Sequence, residues 1–320
     1  MAPLLEVRDL EVCYPLRGSL FRKKRFLKAV RGVSFTLEKG EILGLVGESG
    51  CGKSTLGRAL VRLEDPSHGD ILLNGFDIGH ASGRELAARR RDFQMVFQDP
   101  YGSLNPRLTV FRALDEVLQL HFKESTKLRR ERAAELLELV GLDGKYLDRY
   151  PHQFSGGQRQ RIGIARALAA QPLFIVADEP VSALDVSVQA SVVNLLDDIR
   201  KECGTSFIFI AHDLAVVEHI SDRIMVMYLG KIVESAPAHE LVKNPRHPYT
   251  AALLSAVPDV AKHDRKSVAL SGDVPSPLAE IHGCPFHPRC SRCLDICRTQ
   301  EPQYSGCGDG HFCACFNPVE

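Results

Sequence analysis

The sequence predicts an α/β fold: a core of alternating strands and helices, a helical insertion, and an irregular, cysteine-rich C-terminal extension. Three observations lead there. Strand-like and helix-like hydrophobic periods alternate along the first 235 or so residues. A short apolar run, EILGLV, leads through a glycine-rich turn into a helix-like stretch. Seven of the ten cysteines crowd residues 284–320.

The elements follow in order. Leu5 to Tyr14 (LEVRDLEVCY) alternates apolar and polar residues, the mark of a half-buried strand, and Val30 to Leu37 does the same. Glu41 to Val46 is a buried strand, and Lys53 to Leu63 after it reads as a helix. Further strands are expected at Asp70 to Leu73 and Phe93 to Phe97. From about 103 to 170 the pattern turns helical, at Phe111 to His121, Leu128 to Val140 and Gly157 to Ala170. In the second of these, Ala133, Leu136, Leu137 and Val140 repeat at i, i+3, i+4 and i+7, one apolar face. The apolar strands Leu173 to Ala177 and Ser206 to Ala211 flank a helix from Ser187 to Glu202, an order that implies parallel pairing through a right-handed crossover. Two short strands follow near Ile224 to Tyr228 and Lys231 to Glu234. Beyond about 236, prolines punctuate the chain and regular structure becomes scarce. The basic run Arg22 to Arg25 reads as a solvated loop.

Composition narrows the class. A chain of 320 residues corresponds to about two domains. Its 44% hydrophobic and 25% charged shares exclude a disordered or collagen-like chain. Forty basic against forty acidic residues leave a net charge of zero, so no nucleic-acid partner is expected. No apolar run reaches the roughly 18–20 residues of a membrane span, and MAPLLEVRDLEV lacks a signal peptide's apolar core. A reducing cytosol is therefore expected, where clustered cysteines suggest metal more than disulfides. Cys13 and Cys203 read as small buried hydrophobes.

GESGCGKST, Gly47 to Thr55, fits G-x-x-x-x-G-K-[ST] through Gly47, Gly52, Lys53 and Ser54. The glycines let backbone N–H groups converge on a phosphate, and the following helix adds the positive end of its dipole. Lys53 supplies a point charge for phosphate oxygens and Ser54 a hydroxyl for Mg²⁺. LFIVADE, Leu173 to Glu179, ends an apolar strand in two carboxylates. Asp178 is placed to hold Mg²⁺ through water, and Glu179 to polarise an attacking water.

FSGGQRQRIGIARAL, Phe154 to Leu168, resembles the signature of ATP-binding-cassette (ABC) ATPases, usually written LSGGQ, with Phe in place of the first Leu. Other motifs of that family stand in order: Tyr14 resembles its adenine-stacking aromatic, Gln98 its Q-loop, Ser182 to Asp185 its D-loop and His212 its switch histidine. The resemblance spans residues 4–235 and implies a P-loop NTPase (RecA-like) ABC ATPase core with an antiparallel β subdomain and a helical insertion at about 103–170. Residues 99–107 (DPYGSLNPR), 244–258 and 270–278 resemble the dipeptide/oligopeptide importer branch, closest to the F-type subunit of dipeptide importers. Residues 236–320 would be that branch's C-terminal extension.

The resemblance implies a division of labour. Gly47, Ser49, Gly50, Cys51, Gly52, Lys53, Ser54 and Thr55 would hold ATP, with Tyr14 on the adenine and Cys51 at a variable position of the loop. Ser54, Gln98 and Asp178 would hold Mg²⁺. Glu179 would be the general base, and His212 would hold the γ-phosphate and the water in line. Ser155, Gly156, Gly157 and Gln158 would cap the γ-phosphate of a second cassette, with Asp185 organising the interface between them. Implied partners are a sister ATPase, two membrane permease subunits and an extracytoplasmic substrate-binding protein, with the chain peripheral on the cytoplasmic face of the membrane. Nickel complexes, glutathione and opines are alternative cargoes within the branch, and a soluble non-transport cassette is a further alternative.

Cys284-x₅-Cys290-x₆-Cys297, then Cys315, resembles the [4Fe–4S] motif of these importer ATPases. Cys293, Cys307 and Cys313 are surplus, and Cys313 competes with Cys315 as the fourth ligand. The spacing alone leaves Zn²⁺ open, with His287 and His311 as possible ligands. The extension shows little apolar periodicity, so a metal is expected to substitute for a core.

Overall fold

The computed structural model describes residues 2–16, 26–99, 102–255, 275–276, 278–279 and 281–319. The basic run Arg22 to Arg25 and residues 270–274 of the importer-like segment lie outside them. The chain divides into two compact units: residues 1–37, 42–80 and 210–320, and residues 38–41 and 81–209.

In chain order the elements are β1 (Leu5–Pro15), β2 (Phe26–Leu37), β3 (Ile42–Val46), α1 (Lys53–Leu60), β4 (His68–Leu73), β5 (Phe76–Asp77) and α2 (Gly83–Arg89). β6 (Phe93–Val96), α3 (Val110–His121), α4 (Thr126–Leu139), α5 (Gly156–Leu168), β7 (Phe174–Asp178) and α6 (Val186–Cys203) follow. The chain continues with β8 (Ser206–Ile210), α7 (Leu214–Ile220), β9 (Arg223–Tyr228), β10 (Lys231–Pro237), α8 (Ala238–Lys243), α9 (Pro248–Ser255), β11 (Ser305–Gly308) and β12 (His311–Cys313).

The first unit holds an antiparallel sheet in the order β2-β1-β4-β5. β1 buries Leu5 and Val7, then Leu10 and Val12; the alternation changes parity at Asp9 (φ 44°), where the pairing with β2 shifts register. The same unit holds β3, with every residue buried, parallel to β9 in the register Leu43↔Arg223 to Val46↔Val226. A strand buried on both faces reads as a continuous apolar run, and EILGLV does. β10 pairs antiparallel with β9, and β12 pairs with β10 and β11.

The second unit holds β6 parallel to β7, in the register Phe93↔Phe174 to Val96↔Ala177. Three of its helices start on side-chain caps: Thr109 accepts from Arg112 N–H, Ser125 from Leu128 N–H and Ser155 from Gln158 N–H. α4 buries Ala133 and Leu137, with Val140 just beyond it, close to the expected face. The buried Arg129 guanidinium pairs with Asp115 and joins α4 to α3.

The C-terminal extension differs from its expectation. Asp309 and Gly310 have φ of 50° and 72°, and this two-residue turn closes the β11–β12 hairpin. An Asp-Gly pair is the local signal for such a hairpin, and it sits in full view in CGDGH. The extension also contributes to an aromatic core. Tyr249 and Phe286 pack with Tyr228 of β9 at ring-centroid separations of 4.7–5.4 Å. Two thiols also depart from expectation. Cys203 is exposed, at the last turn of α6 before the left-handed Gly204, and Cys13 is half-buried.

Glu234 of β10, fully buried, ties the extension to the sheet. Its carboxylate accepts from the Arg246 and His247 backbone N–H groups (2.6 and 3.0 Å), and its Oε1 lies 2.7 Å from His311 Nε2. His247 is itself 1% exposed, and its Nδ1 accepts the Tyr249 N–H at 3.1 Å. That bond needs a neutral ring. Burial drives the His247 pKa down to about 4 from 6.5. Because the folded value is depressed, the stability tied to the neutral ring is complete above about pH 6.5 and is lost as pH falls toward 4. Between pH 7 and 5 the loss is on the order of 2 kcal/mol. The thermal midpoint is therefore expected to fall on acidification over that range, and less steeply in His247→Gln. Equal slopes in the two proteins would remove His247 as the cause.

Candidate functional site

The first unit builds a loop around a buried cation. β3 ends at Val46, the chain turns through Gly47 to Gly52, and α1 begins at Lys53. A Cβ on Gly47 would lie 2.2 Å from Met227 O, and one on Gly52 would lie 2.3 Å from Ala29 O. Packing against β9 and β2 therefore demands both glycines. Gly50, at φ 77°, has nothing within 4 Å of its Cβ position. Ser49 and Gly50 are exposed at the loop tip, and Ser54 and Thr55 are half-buried in the first turn of α1.

Lys53 is 4% exposed. Its Nζ donates to Gly47 O at 2.7 Å and Glu48 O at 3.1 Å, with Cys51 Sγ at 3.9 Å. Burial pushes the Cys51 thiol pKa up against the opposing pull of Lys53, so this cysteine stays protonated near neutral pH. Glu48 is held from outside the loop. Its N–H donates to Tyr249 Oη (2.8 Å), and its carboxylate takes both terminal nitrogens of Arg289 at 2.6 and 3.0 Å.

A cavity of about 530 Å³ opens beside Gly50 and Cys51, within the range of small-molecule sites. Leu16, Phe26, Lys28, Leu278 and Ile281 are among its walls. Tyr14 is half-buried on β1, in register with Leu27. His212 is exposed and follows Ala211, whose N–H donates to Leu45 O of β3 at 3.2 Å.

The second unit carries the carboxylates. Asp178, 4% exposed, ends β7, and Glu179 follows in a left-handed conformation at φ 46°. A non-glycine residue there stores about 1–3 kcal/mol of strain, a feature that clusters at functional sites. Gln98 Nε2 donates to Glu179 Oε2 at 2.9 Å. The Glu179 carbonyl accepts the Ser182 N–H and hydroxyl, at 3.3 and 3.1 Å. Asp185 is exposed at the N-cap of α6. Ser155 and Gln158 close a reciprocal capping box at the start of α5. A Cβ on Gly157 would sit 2.4 Å from Val188 Cγ1, so the packing of α5 on α6 already requires this glycine. A Cβ on Gly156 would meet Leu184 at an ordinary 3.5 Å.

Residues 30–182 match the family described as ABC transporter, and residues 233–297 match the oligopeptide/dipeptide transporter C-terminal region. The oligopeptide transport ATP-binding protein AppF of Bacillus subtilis (strain 168) is 51% identical over 317 residues, covering 98% of this chain and 96% of that protein. The chain belongs to the ABC transporter ATP-binding family. The dipeptide transport ATP-binding protein DppF of Escherichia coli (strain K12) is 50% identical over 315 residues, covering 98% of this cassette and 94% of that protein. Among solved structures, a dimeric post-hydrolysis state of the ATP-binding cassette MJ0796 bound to ADP and Pi aligns with TM-score 0.65 and 29% identity, over 73% of this chain and 98% of that one. The cbiO1 protein of Clostridium perfringens aligns with TM-score 0.65 and 26% identity, over 75% and 91%. Proteins of this family bind and hydrolyse ATP, and in this cassette Gly47 to Thr55 fits the pattern G-x-x-x-x-G-K-[ST].

The cassette's cysteine segment has an order of its own. Cys284 N–H donates to Cys297 O at 2.8 Å, and Asn317 N–H donates to Cys315 Sγ at 3.4 Å. Burial pushes the Cys284 thiol up to about 12, and the neighbouring Cys297, Cys315 and Cys290 add to the rise. Burial likewise pushes Cys315 up to about 11, with Cys290 and Cys297 adding to it. Burial pushes the Cys313 thiol up as well, with Glu234 and then Cys315 adding to the rise. Among the described residues, no three of these sulfurs lie within 4.8 Å of one another. His311 is engaged by Glu234, and His287 Nδ1 lies 2.9 Å from Cys284 O. No helix among the described residues is long and apolar enough to cross a membrane.

Sequence reasoning missed Tyr249 and Arg289. They lie 201 and 241 positions from Glu48, and no local pattern announces such a contact.

Proposed function

We propose that this cassette is the ATP-hydrolysing subunit of an importer of dipeptides or oligopeptides, peripheral on the cytoplasmic face of the membrane through two permease subunits. A sister ATPase completes its site, and an extracytoplasmic binding protein delivers the cargo. The observation that carries the reading is the importer-type C-terminal region at 233–297, together with near-full-length relatives named for dipeptide and oligopeptide transport.

Each residue has a task in this reading. Lys53, with its ammonium already inside the loop, and the amides of Gly47 to Thr55 hold the ATP phosphates. Tyr14 stacks on the adenine. Ser155, Gly156, Gly157 and Gln158 serve the partner's nucleotide, and Asp185 lies at the interface with it. Of the two glycines, Gly156 is the one that packing leaves free for that role. Ser54, Gln98 and Asp178 suit Mg²⁺: all offer hard oxygen donors, and Gln98 keeps its amide oxygen while its nitrogen donates to Glu179. Held by these residues, Mg²⁺ would neutralise phosphate charge. Gln98 fixes the direction of the Glu179 carboxylate, which takes a proton from water as the water's oxygen bonds to the γ-phosphorus and ADP leaves. His212 holds the water and the γ-phosphate in line.

Four of the extension's seven thiols, Cys284, Cys290, Cys297 and Cys315, suit a [4Fe–4S] cluster of structural purpose. Their mutual influence supports membership in one set.

Two experiments test these readings. In vesicles holding the assembled complex, ATP is expected to drive uptake of a labelled dipeptide. Glu179→Gln is expected to bind ATP yet lose hydrolysis and uptake by about 100-fold or more. Near-normal hydrolysis in that variant would remove Glu179 as the base, and uptake of a nickel complex in place of peptide would replace the cargo. Purified without oxygen, the chain is expected to be brown, with iron and acid-labile sulfide in equal amounts. A colourless protein carrying zinc and no iron would overturn the cluster.

A further inference from the structure

We infer that Arg289 and Tyr249 of the C-terminal extension are positioning residues of the phosphate loop, and that they set its affinity for ATP by holding Glu48. The inference rests on the reading that Gly47 to Thr55 binds the phosphates of ATP.

Glu48 occupies a variable position of G-x-x-x-x-G-K-[ST], so phosphate chemistry does not require a carboxylate there. A carboxylate beside a polyphosphate site is a like charge and weakens binding unless it is neutralised and turned away. Arg289 does both. Its side chain is 5% exposed, it grips both Glu48 oxygens, and its guanidinium lies 6.0 Å from the centre of the Tyr228 ring. A two-pronged Arg–carboxylate pair fixes direction as well as distance.

The other polar groups of Glu48 are also committed. Its N–H goes to the hydroxyl of Tyr249, a fully buried residue, and its carbonyl accepts from Lys53. One residue thus joins the phosphate-binding lysine to the extension. Behind Arg289 stands the cysteine segment. Arg289 N–H donates to Phe286 O, Cys290 N–H donates to His287 O, and Cys284 N–H donates to Cys297 O. Whatever holds that segment in shape therefore holds Arg289 over Glu48, and with it the course of the loop. The walls of the cavity beside Gly50 include Leu278 and Ile281, so the extension reaches the loop from a second direction.

The test is a titration of full-length protein with a fluorescent ATP analogue, alongside thermal unfolding. Arg289→Met leaves the half-buried Glu48 charge uncompensated, and its dissociation constant is expected to rise about tenfold. Adding Glu48→Gln removes that charge, and the double variant is expected to return to within about threefold of wild type. A purely structural anchor predicts no such rescue. Tyr249→Phe keeps the ring packing and removes only the hydroxyl; its dissociation constant is expected to rise a few-fold with an unchanged melting midpoint, and it decides the matter if Arg289→Met does not fold. Wild-type affinity in Arg289→Met or Tyr249→Phe, or no relief from Glu48→Gln, overturns the inference alone. Wild-type protein that does not bind the analogue overturns the reading of the loop as well.

Discussion

The first unit is organised around one costly feature, an ammonium group with almost no access to water. Lys53 is 4% exposed, and a buried cation is tolerated only when carbonyls or anions replace its hydration. The loop supplies carbonyls of Gly47 and Glu48. To bring them round, the backbone must turn tightly at the end of a strand buried on both faces, and it must pass so close to Met227 and Ala29 that no Cβ fits at Gly47 or Gly52. The buried strand, the glycines and the neighbouring strands thus follow from one requirement.

The same requirement explains why the extension is part of the working unit. Glu48 lends its carbonyl to Lys53, and its two remaining polar groups are held by Tyr249 and Arg289. Glu234 then fastens the start of α9 and β12 to the sheet. A sequence divided at about residue 236 separates groups that the fold brings within hydrogen-bond reach.

Legibility in the sequence tracked the distance over which a signal acts. α4 was readable because its burial repeats with the helical period, and β3 and β7 because strands buried at every residue read as unbroken apolar runs. The glycine-rich turn between β3 and α1 was readable because its pattern is confined to nine consecutive residues. The β11–β12 hairpin was readable in principle, from Asp309-Gly310, but lay inside a stretch that prolines and cysteines made look irregular. Cys203 was misjudged because a cysteine in the last turn of a helix faces wherever that turn ends. Gly157 was assigned to phosphate approach, whereas its contact with Val188 supplies a packing reason that no motif reveals. The bond from Gln98 to Glu179 crosses 81 positions and those to Glu48 cross more than 200, so only the folded chain discloses them.

The central claim is that Lys53 is kept buried for phosphate rather than for stability. Thermal unfolding of the wild type and Lys53→Met, with and without ATP, tests it most directly. ATP at a hundredfold its dissociation constant should stabilise the wild type by about 2.7 kcal/mol. The account predicts that Lys53→Met, freed of a desolvated charge, melts at or above the wild-type midpoint without ATP and gains nothing from ATP. A variant that melts well below the wild type, or that keeps the full ATP-dependent rise, would contradict it.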